Sequence, residues 1–434
     1  MRTRRCYRWR TRRSQRRLRW LLFILAAAAW WAATAQRPVW LRFIGMAGAA
    51  WLLLKARDEL RIPVLTYHSV SARGQWLREP GLVVTTTSFE AQLKWLQKHG
   101  YRTLNMEELI HFRSQGTNCG KSVALTFDDG YLDAWVAVAP LLERYGCKGT
   151  VFVSSGWIED GDAARLQMDH ADEQDLQWEG YLNRAEVCLL KQKGILDVQS
   201  HGLSHDRVFT GRRIDDFVIQ NPPPLWVYLL HHPEDRIHWY QKSRQFPKGR
   251  PIFKAGEALA AAAFHPDPEN YRRFEALAQK NGHLPNHELH LLLSRQAAQW
   301  MADGRITGRR EDPEQTLVRW KDELQSSKEV LEEITGRCID HFCWPRSAWQ
   351  PQGEALALEL GYRSTTNGDR HNGPDKPWRV SRVHMGGIGR PVIDLWRFVL
   401  EIQVFRGHYW LWPLLWLIQK AMARRWRIRK RRLL

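Results

Sequence analysis

The amino-acid sequence predicts an α/β fold, built on a mainly parallel sheet or a (β/α) barrel. Three observations carry that expectation. Strand-like and helix-like segments alternate from Ile62 onward, as crossover connections between parallel strands require. The strand-like segments are short apolar runs bounded by turn residues, the pattern of strands buried on both faces. Asp128, Asp129, His201 and His205 each follow such a segment, and sites in α/β folds form at strand C-termini.

The elements follow in order. Ile62–His68 (IPVLTYH) reads as a buried strand, and Ser88–His99 has helical spacing with Ser88 as its N-cap. Tyr101–Leu104 is a short strand and Asn105–Phe112 a helix. Ser122–Phe127 (SVALTF) is a strand ending at Asp128-Asp129-Gly130. Asp133–Tyr145 is the next helix, Gly149–Ser154 the next strand, and Ile195–Gln199 another. Residues 207–325 break the rhythm with a proline run at Asn221–Pro224 and helical segments, and read as a mainly helical insertion. The pattern resumes with a helix near Leu317–Thr335 and strands at His341–Trp344, Tyr362–Thr366 and Val380–His384.

The 434 residues are 44% hydrophobic and 26% charged, enough apolar material for a folded body. A net charge of +19 invites a nucleic-acid partner, but its distribution excludes one. Residues 1–20 hold ten arginines and residues 420–434 eight lysines or arginines, with no acid in either, so only about +1 is left between them. Each basic end borders an apolar segment, and the expected partner is the lipid of a membrane.

Leu21–Ala35 and Pro38–Leu54 (broken by Arg42) are the first two apolar runs, each shorter than the ~20 residues that span a bilayer comfortably. They read as a hairpin, as one spanning and one interfacial segment, or as a signal peptide followed by an apolar stretch. Positive residues on both sides favour a cytoplasmic body at a bacterial inner membrane over a periplasmic one. Trp410, Trp412 and Trp416 beside the C-terminal basic tail read as an interfacial anchor. The resulting plan is a basic arm 1–20, an apolar anchor 21–55, a body in two pieces (62–206 and 326–390), the insertion and a tail 391–434. The six cysteines form no Cys-x-x-Cys pair, and fit a reducing compartment rather than a disulfide framework.

The chemistry sits in two short stretches. Asp128 and Asp129 point different ways along an extended chain and can take different roles, and Gly130 permits a tight turn. In Ser200–His205 two histidines lie four residues apart. Two imidazoles and one carboxylate make a ligand set that leaves positions open for water and substrate.

Thr126-Phe127-Asp128-Asp129-Gly130-Tyr131 and Ser200–His205 resemble the two signature motifs of the polysaccharide deacetylase group (NodB-like, carbohydrate esterase family 4). Pro63–Val70, Ala139–Leu142 and Gly149–Val153 are similar to the segments around them. Phe342-Cys343-Trp344-Pro345 resembles the third motif, and Gly361-Tyr362 with Arg382 the closing region. The resemblance extends over residues 62–206 and 326–390.

It implies a deformed or open (β/α) barrel, and a metal-dependent hydrolase acting on an amide or ester. Asp129, His201 and His205 would bind a divalent metal, zinc first, with cobalt or nickel as alternatives. Asp128 would be the catalytic base. The amide of Arg346 would hold the oxyanion, and His384 would stand for the histidine near the acetyl group. His68, Tyr131, Trp344 and Pro345 would line the substrate site. The family has an aromatic residue and a glycine where this chain has Arg346-Ser347. The implied substrate is an acetylated sugar, a cell-envelope polysaccharide or its lipid-linked precursor, with glycan-biosynthesis proteins as further partners. The rival expectation is an inactive member that binds glycan or scaffolds a complex at the membrane.

Overall fold

The computed structural model describes residue 30 and residues 62–433, apart from 78, 80, 117–119, 243 and 368–375. The expected basic arm and apolar anchor lie outside the described residues, Trp30 excepted. Among the described residues no helix is long and apolar enough to cross a membrane.

The first part of the chain runs β1 (Val64–Tyr67), β2 (Ser69–Val70), β3 (Val83–Val84), α1 (Thr86–Lys98), β4 (Arg102–Leu104), α2 (Met106–Ser114), β5 (Ser122–Phe127), α3 (Ala139–Arg144), β6 (Gly149–Val153), α4 (Arg184–Lys193) and β7 (Leu196–Ser200). The insertion adds β8 (Arg207–Val218), α5 (Leu225–His231), β9 (Arg250–Glu257), β10 (Phe264–Pro266), α6 (Pro268–Lys280), α7 (Asn286–Ala302) and β11 (Gly308–Arg310). The body resumes with α8 (Pro313–Thr335), β12 (His341–Phe342), α9 (Pro351–Glu359), β13 (Ser364–Asn367), β14 (Arg379–Ser381), β15 (Val383–His384), α10 (Pro391–Phe405) and α11 (Trp412–Leu433).

One nine-stranded sheet in the order β14-β13-β12-β7-β6-β5-β1-β15 organises the body, with β4 paired to β5 off that path. Every pairing in it is parallel. β5 is buried along its whole length, because helices cover one face and the barrel interior the other. β1 takes one of its edges; on the other, β4 pairs Ser122–Ala124 and β6 pairs Thr126–Phe127. The two ends of the sheet are held by one extended segment. Its first half, β14, pairs with β13, and its second half, β15, pairs with β1. Residue 382 is the crossing point, and the sheet becomes a nearly closed barrel through it.

Two cores exist. Leu65, Phe89, Leu125, Phe127, Val198 and Phe342 belong to the barrel's, while Phe209, Phe253, Phe274, Leu289 and Leu293 belong to the insertion's. The insertion contains the expected helices. It also contains an antiparallel ribbon of β8 and β9 with register shifts, which the sequence reading did not anticipate. α8 starts inside the expected insertion and runs through its expected end at 325. It serves both units: Trp320 donates to the Ala258 carbonyl at 2.8 Å, and Leu324 and Leu331 enter the barrel core.

Two further expectations shift. The cap of α1 is Thr85, whose Oγ1 accepts from the Ser88 amide at 3.2 Å, so Ser88 lies in the first turn rather than before it. The expected tail is not all tail. α10 buries Phe398 and Ile402 against the barrel, with the Phe398 ring 5.9 Å from Trp95 of α1. It is the helix that follows β15 in the alternation.

Candidate active site

The site begins where β5 stops. Asp128 extends the ladder by one bond, its amide donating to the Tyr67 carbonyl at 2.9 Å. The chain then turns through two left-handed residues, Asp129 at φ 75° and Gly130 at φ 74°. A Cβ on Gly130 would lie 3.0 Å from the Val153 side chain, so both the turn and the packing favour glycine there. The sequence predicts an extended chain for the two residues; here Asp129 is left-handed, and the two carboxylates join different trios that share His201.

β7 delivers the histidines. The His201 amide donates to the Val153 carbonyl at 2.9 Å, and its ring Nδ1 lies 2.9 Å from the Cys343 carbonyl. A carbonyl can only accept, so Nδ1 carries the proton and Nε2 is the atom turned to Asp129; burial opposes a second proton there, but Cys343, Asp129 and Asp128 outweigh it and raise the ring's pKa well above its usual value. The turn between the histidines is gripped by Glu323 of α8. Its carboxylate accepts from the amides of Leu203 and Ser204, each at 3.0 Å, and from the Ser204 hydroxyl. His205 then sits at φ 56°.

The His201 and His205 Nε2 atoms stand 3.2 and 3.4 Å from Asp129 Oδ1. That oxygen is buried and makes no well-formed hydrogen bond. Two ring nitrogens crowded on one unsatisfied carboxylate oxygen is the arrangement expected around a cation. Burial pushes the His205 pKa down to about 4, which leaves the ring neutral and able to donate a lone pair. These three side chains therefore fit a divalent metal. Asp128, His201 and Cys343 form a second close trio. There the Arg382 guanidinium already lies 2.8 Å from the Cys343 sulfur, and a second cation in the same buried space would be repelled.

Asp128 is buried, and Arg382 grips both of its oxygens, at 2.7 and 2.8 Å. Burial alone would raise the Asp128 pKa; the Arg382 charge, helped by His201 and His68, outweighs it and holds the carboxyl below its ordinary range. Arg382 itself is held charged by the same pair.

A cavity of about 1690 Å³ opens over these groups. Strand ends supply one side, including Asp128, Asp129, His201, His205 and Arg382; the insertion supplies Trp226, Tyr228, Trp239 and Tyr240 on another. His68 and His384 lie side by side in its wall, ring centroids 5.1 Å apart. Burial, with His68 and Arg397 nearby, pushes the His384 pKa down to about 3, so its ring is neutral. Its Nε2 lies 3.1 Å from the Gly81 carbonyl. Tyr131 lines the cavity and meets the Trp76 ring edge-on at 5.7 Å. Arg346 lines it with a half-exposed side chain, 3.3 Å from Glu257. Trp344 reaches the cavity but is closed to solvent, its ring packed on Phe342 at 4.7 Å. Pro345 sits behind the histidine turn, 3.7 Å from where a Gly202 Cβ would lie.

Sequence reasoning singled out Arg382 only as part of a closing region and Cys343 only as part of a motif, and it missed Glu323. One signal for Arg382 was available. It lies two residues before His384 in a strand-like segment, and residues i and i+2 share a strand face. The backbone is the other marker. Among the described residues, Asp129, His205, Arg346 and Ser347 are the non-glycine positions with positive φ, and all four line the cavity. Strain of this kind clusters at functional sites.

Residues 115–217 match the family model described as polysaccharide deacetylase. The Bacillus subtilis (strain 168) protein YxkH, which carries a polysaccharide deacetylase name, is 39% identical over 106 residues, 24% of this chain and 35% of that protein. The poly-beta-1,6-N-acetyl-D-glucosamine N-deacetylase of Staphylococcus aureus (strain MSSA476) is 24% identical over 123 residues, 28% of this chain and 37% of that enzyme. The matched stretch thus spans little more than a third of the length of these curated relatives. Among solved structures, a de-N-acetylase from Aggregatibacter actinomycetemcomitans is 14% identical, with a TM-score of 0.46, covering 74% of this chain and 94% of that one. The BpsB deacetylase domain from Bordetella bronchiseptica is 16% identical, with a TM-score of 0.46, covering 75% of this chain and 96% of that one.

Proposed function

We propose, from the premise that this chain belongs to the polysaccharide deacetylase family, that it hydrolyses an acetyl amide or ester on a cell-envelope glycan or its lipid-linked precursor. The observation that carries the reading is the meeting of Asp129, His201 and His205 beside an Asp128 held ionised by Arg382.

Asp129, His201 and His205 would hold a divalent ion, zinc or else cobalt or nickel, which when bound lowers the pKa of water towards ~7 and polarises the acetyl carbonyl. The residues of the chain do the rest. Asp128, ionised and buried, accepts the proton of the attacking water and passes it to the leaving nitrogen or oxygen. Arg382 keeps that carboxylate charged and fixes its two oxygens in one plane. The Arg346 amide donates to the oxyanion, in a pocket where a fixed donor is worth more than in water. His384 borders the acetyl group as a neutral ring. The aromatic wall from the insertion takes the sugar faces.

The test is acetate release by the full chain, with zinc, cobalt or nickel, on N-acetylglucosamine oligomers and acetylated polysaccharides. Metal-dependent release that disappears in Asp128→Asn is expected. Metal-loaded protein that binds these glycans and releases no acetate from any of them, or from lipid-linked acetyl sugars, would sink the hydrolase reading.

A further inference from the structure

Large apolar side chains exposed to water are concentrated at one end of this molecule. From residue 62 onward, every exposed tryptophan among the described residues lies in the last two helices or their connection: Trp396, Trp410, Trp412 and Trp416. Leu414 and Leu417 accompany them, Leu417 at 58% exposure.

Packing among the described residues does not explain this surface. α11 already has a seat. Leu415 is buried against Leu400 and Val404 of α10, and the Gln419 side chain donates to Glu401 at 2.7 Å. Leu417, Lys420 and Arg424, spaced three and four apart, share the opposite face, and all are exposed. That face is apolar at the start of the helix and basic towards its end. The Lys420 ammonium lies 4.0 Å above the Trp416 ring, with its aliphatic stem along apolar surface and its charge at the boundary. No acid follows Glu401 in the sequence, while eight basic residues lie between 420 and 434. A partner for this end must be apolar where the tryptophans are and anionic where the bases are.

We infer that α11 and its tryptophans dock this protein on an anionic lipid surface, with the aromatic turn at the acyl boundary and the basic turns among the headgroups. A lipid interface supplies both chemistries in that order over a few ångströms of depth. Nucleic acid offers the charge without the apolar layer. A second copy of this end would bring like charge against like. The inference concerns where the enzyme sits and is independent of the reaction proposed above.

The experiment places p-benzoylphenylalanine, a photo-crosslinking residue, at position 417 of the full chain. A control carries it at position 166, an exposed leucine of the barrel body. Each is irradiated with vesicles containing phosphatidylglycerol or made of phosphatidylcholine alone, and the adducts are identified by mass spectrometry. Lipid adducts at 417 and not at 166, stronger by at least about ten-fold on the anionic vesicles, are expected, since anionic headgroups attract a polybasic segment. Exchange of Trp412 and Trp416 for serine should lower vesicle binding without changing acetate release from a soluble glycan. An adduct with residues 1–61 of the same chain, with a second copy or with co-purified nucleic acid overturns the inference. Equal lipid labelling at 417 and 166, or no adduct at 417, overturns it as well.

Discussion

The two sides of the cavity are built on opposite plans. The strand-end side is ionic, and long-range bonds fix two of its side chains: Asp128 by Arg382, His201 by the Cys343 carbonyl. The insertion side is aromatic, with Trp226 and Tyr240 only partly buried and an irregular ribbon behind them. On the function proposed above, the ionic side would carry the chemistry and the aromatic side the recognition of substrate. The first side should therefore answer to substitutions in rate and metal affinity, and the second in substrate affinity.

The sharpest break is Asp128→Asn. It keeps the shape and removes the base, so kcat should fall by about 10²–10⁴-fold, while metal content measured by atomic absorption stays at the parent level. Loss of metal along with activity would merge the two roles assigned to Asp128 and Asp129.

Arg382→Met comes next. Arg382 lowers the Asp128 pKa, and without it burial pushes that pKa up. The base must be ionised to work, so the acidic limb of the kcat/KM profile should move to higher pH, by ~1–3 units. A profile that moves to lower pH, or stays in place, would remove Arg382 from this role. The uncompensated buried charge should also cost roughly 3–5 kcal/mol of stability, seen in denaturant melts.

Glu323→Ala separates metal positioning from chemistry. It frees the turn between His201 and His205, and metal affinity by chelator competition should weaken about 10- to 100-fold. With metal in excess, kcat should return close to the parent value. On the other side of the cavity, Trp226→Ala should raise KM for a polymeric glycan by roughly three- to ten-fold with kcat kept, the worth of one aromatic contact. A fall in kcat instead would mean that the insertion takes part in the reaction.

The smallest expected effect concerns Ser347, a non-glycine residue at φ 57°. Glycine adopts that conformation freely and serine does not. Ser347→Gly should stabilise the protein by ~1 kcal/mol, read as a rise in melting temperature with kcat/KM within a factor of about two.

Much of the barrel was legible because its signals are local. Ser122–Phe127 and Gly149–Val153 read directly as strands, since a buried parallel strand is an apolar run. The candidate metal-holding residues could be picked out of the sequence because their stretches follow such runs. The ribbon was not. β8 carries Arg212, Arg213, Asp215 and Asp216 on a mostly solvated surface, and its partner begins more than thirty residues after it ends, so neither pattern nor proximity announces it. The cap of α1 was misplaced by three residues because Thr85, Thr86, Thr87 and Ser88 all have capping side chains, and only the backbone entry angle chooses between them. Glu323 and Arg382 lie 119 and 254 residues from the groups they hold, and pairings of that range are decided by the closed fold.

The split segment 379–384 gives this closure a further meaning. The stretch matching the family model, 115–217, contains both signature motifs but neither the segment that joins the barrel's edges nor the guanidinium that neutralises Asp128. A polypeptide ending before residue 379 would leave β1 and β13 as unpaired rims, open to other strands, with a carboxylate facing a half-built interior. Completion of the barrel and pairing of Asp128 with Arg382 thus depend on the same segment. The segment that carries both motifs, 115–217, therefore lacks the Arg382 contact to Asp128 and the strands that join the two edges of the sheet.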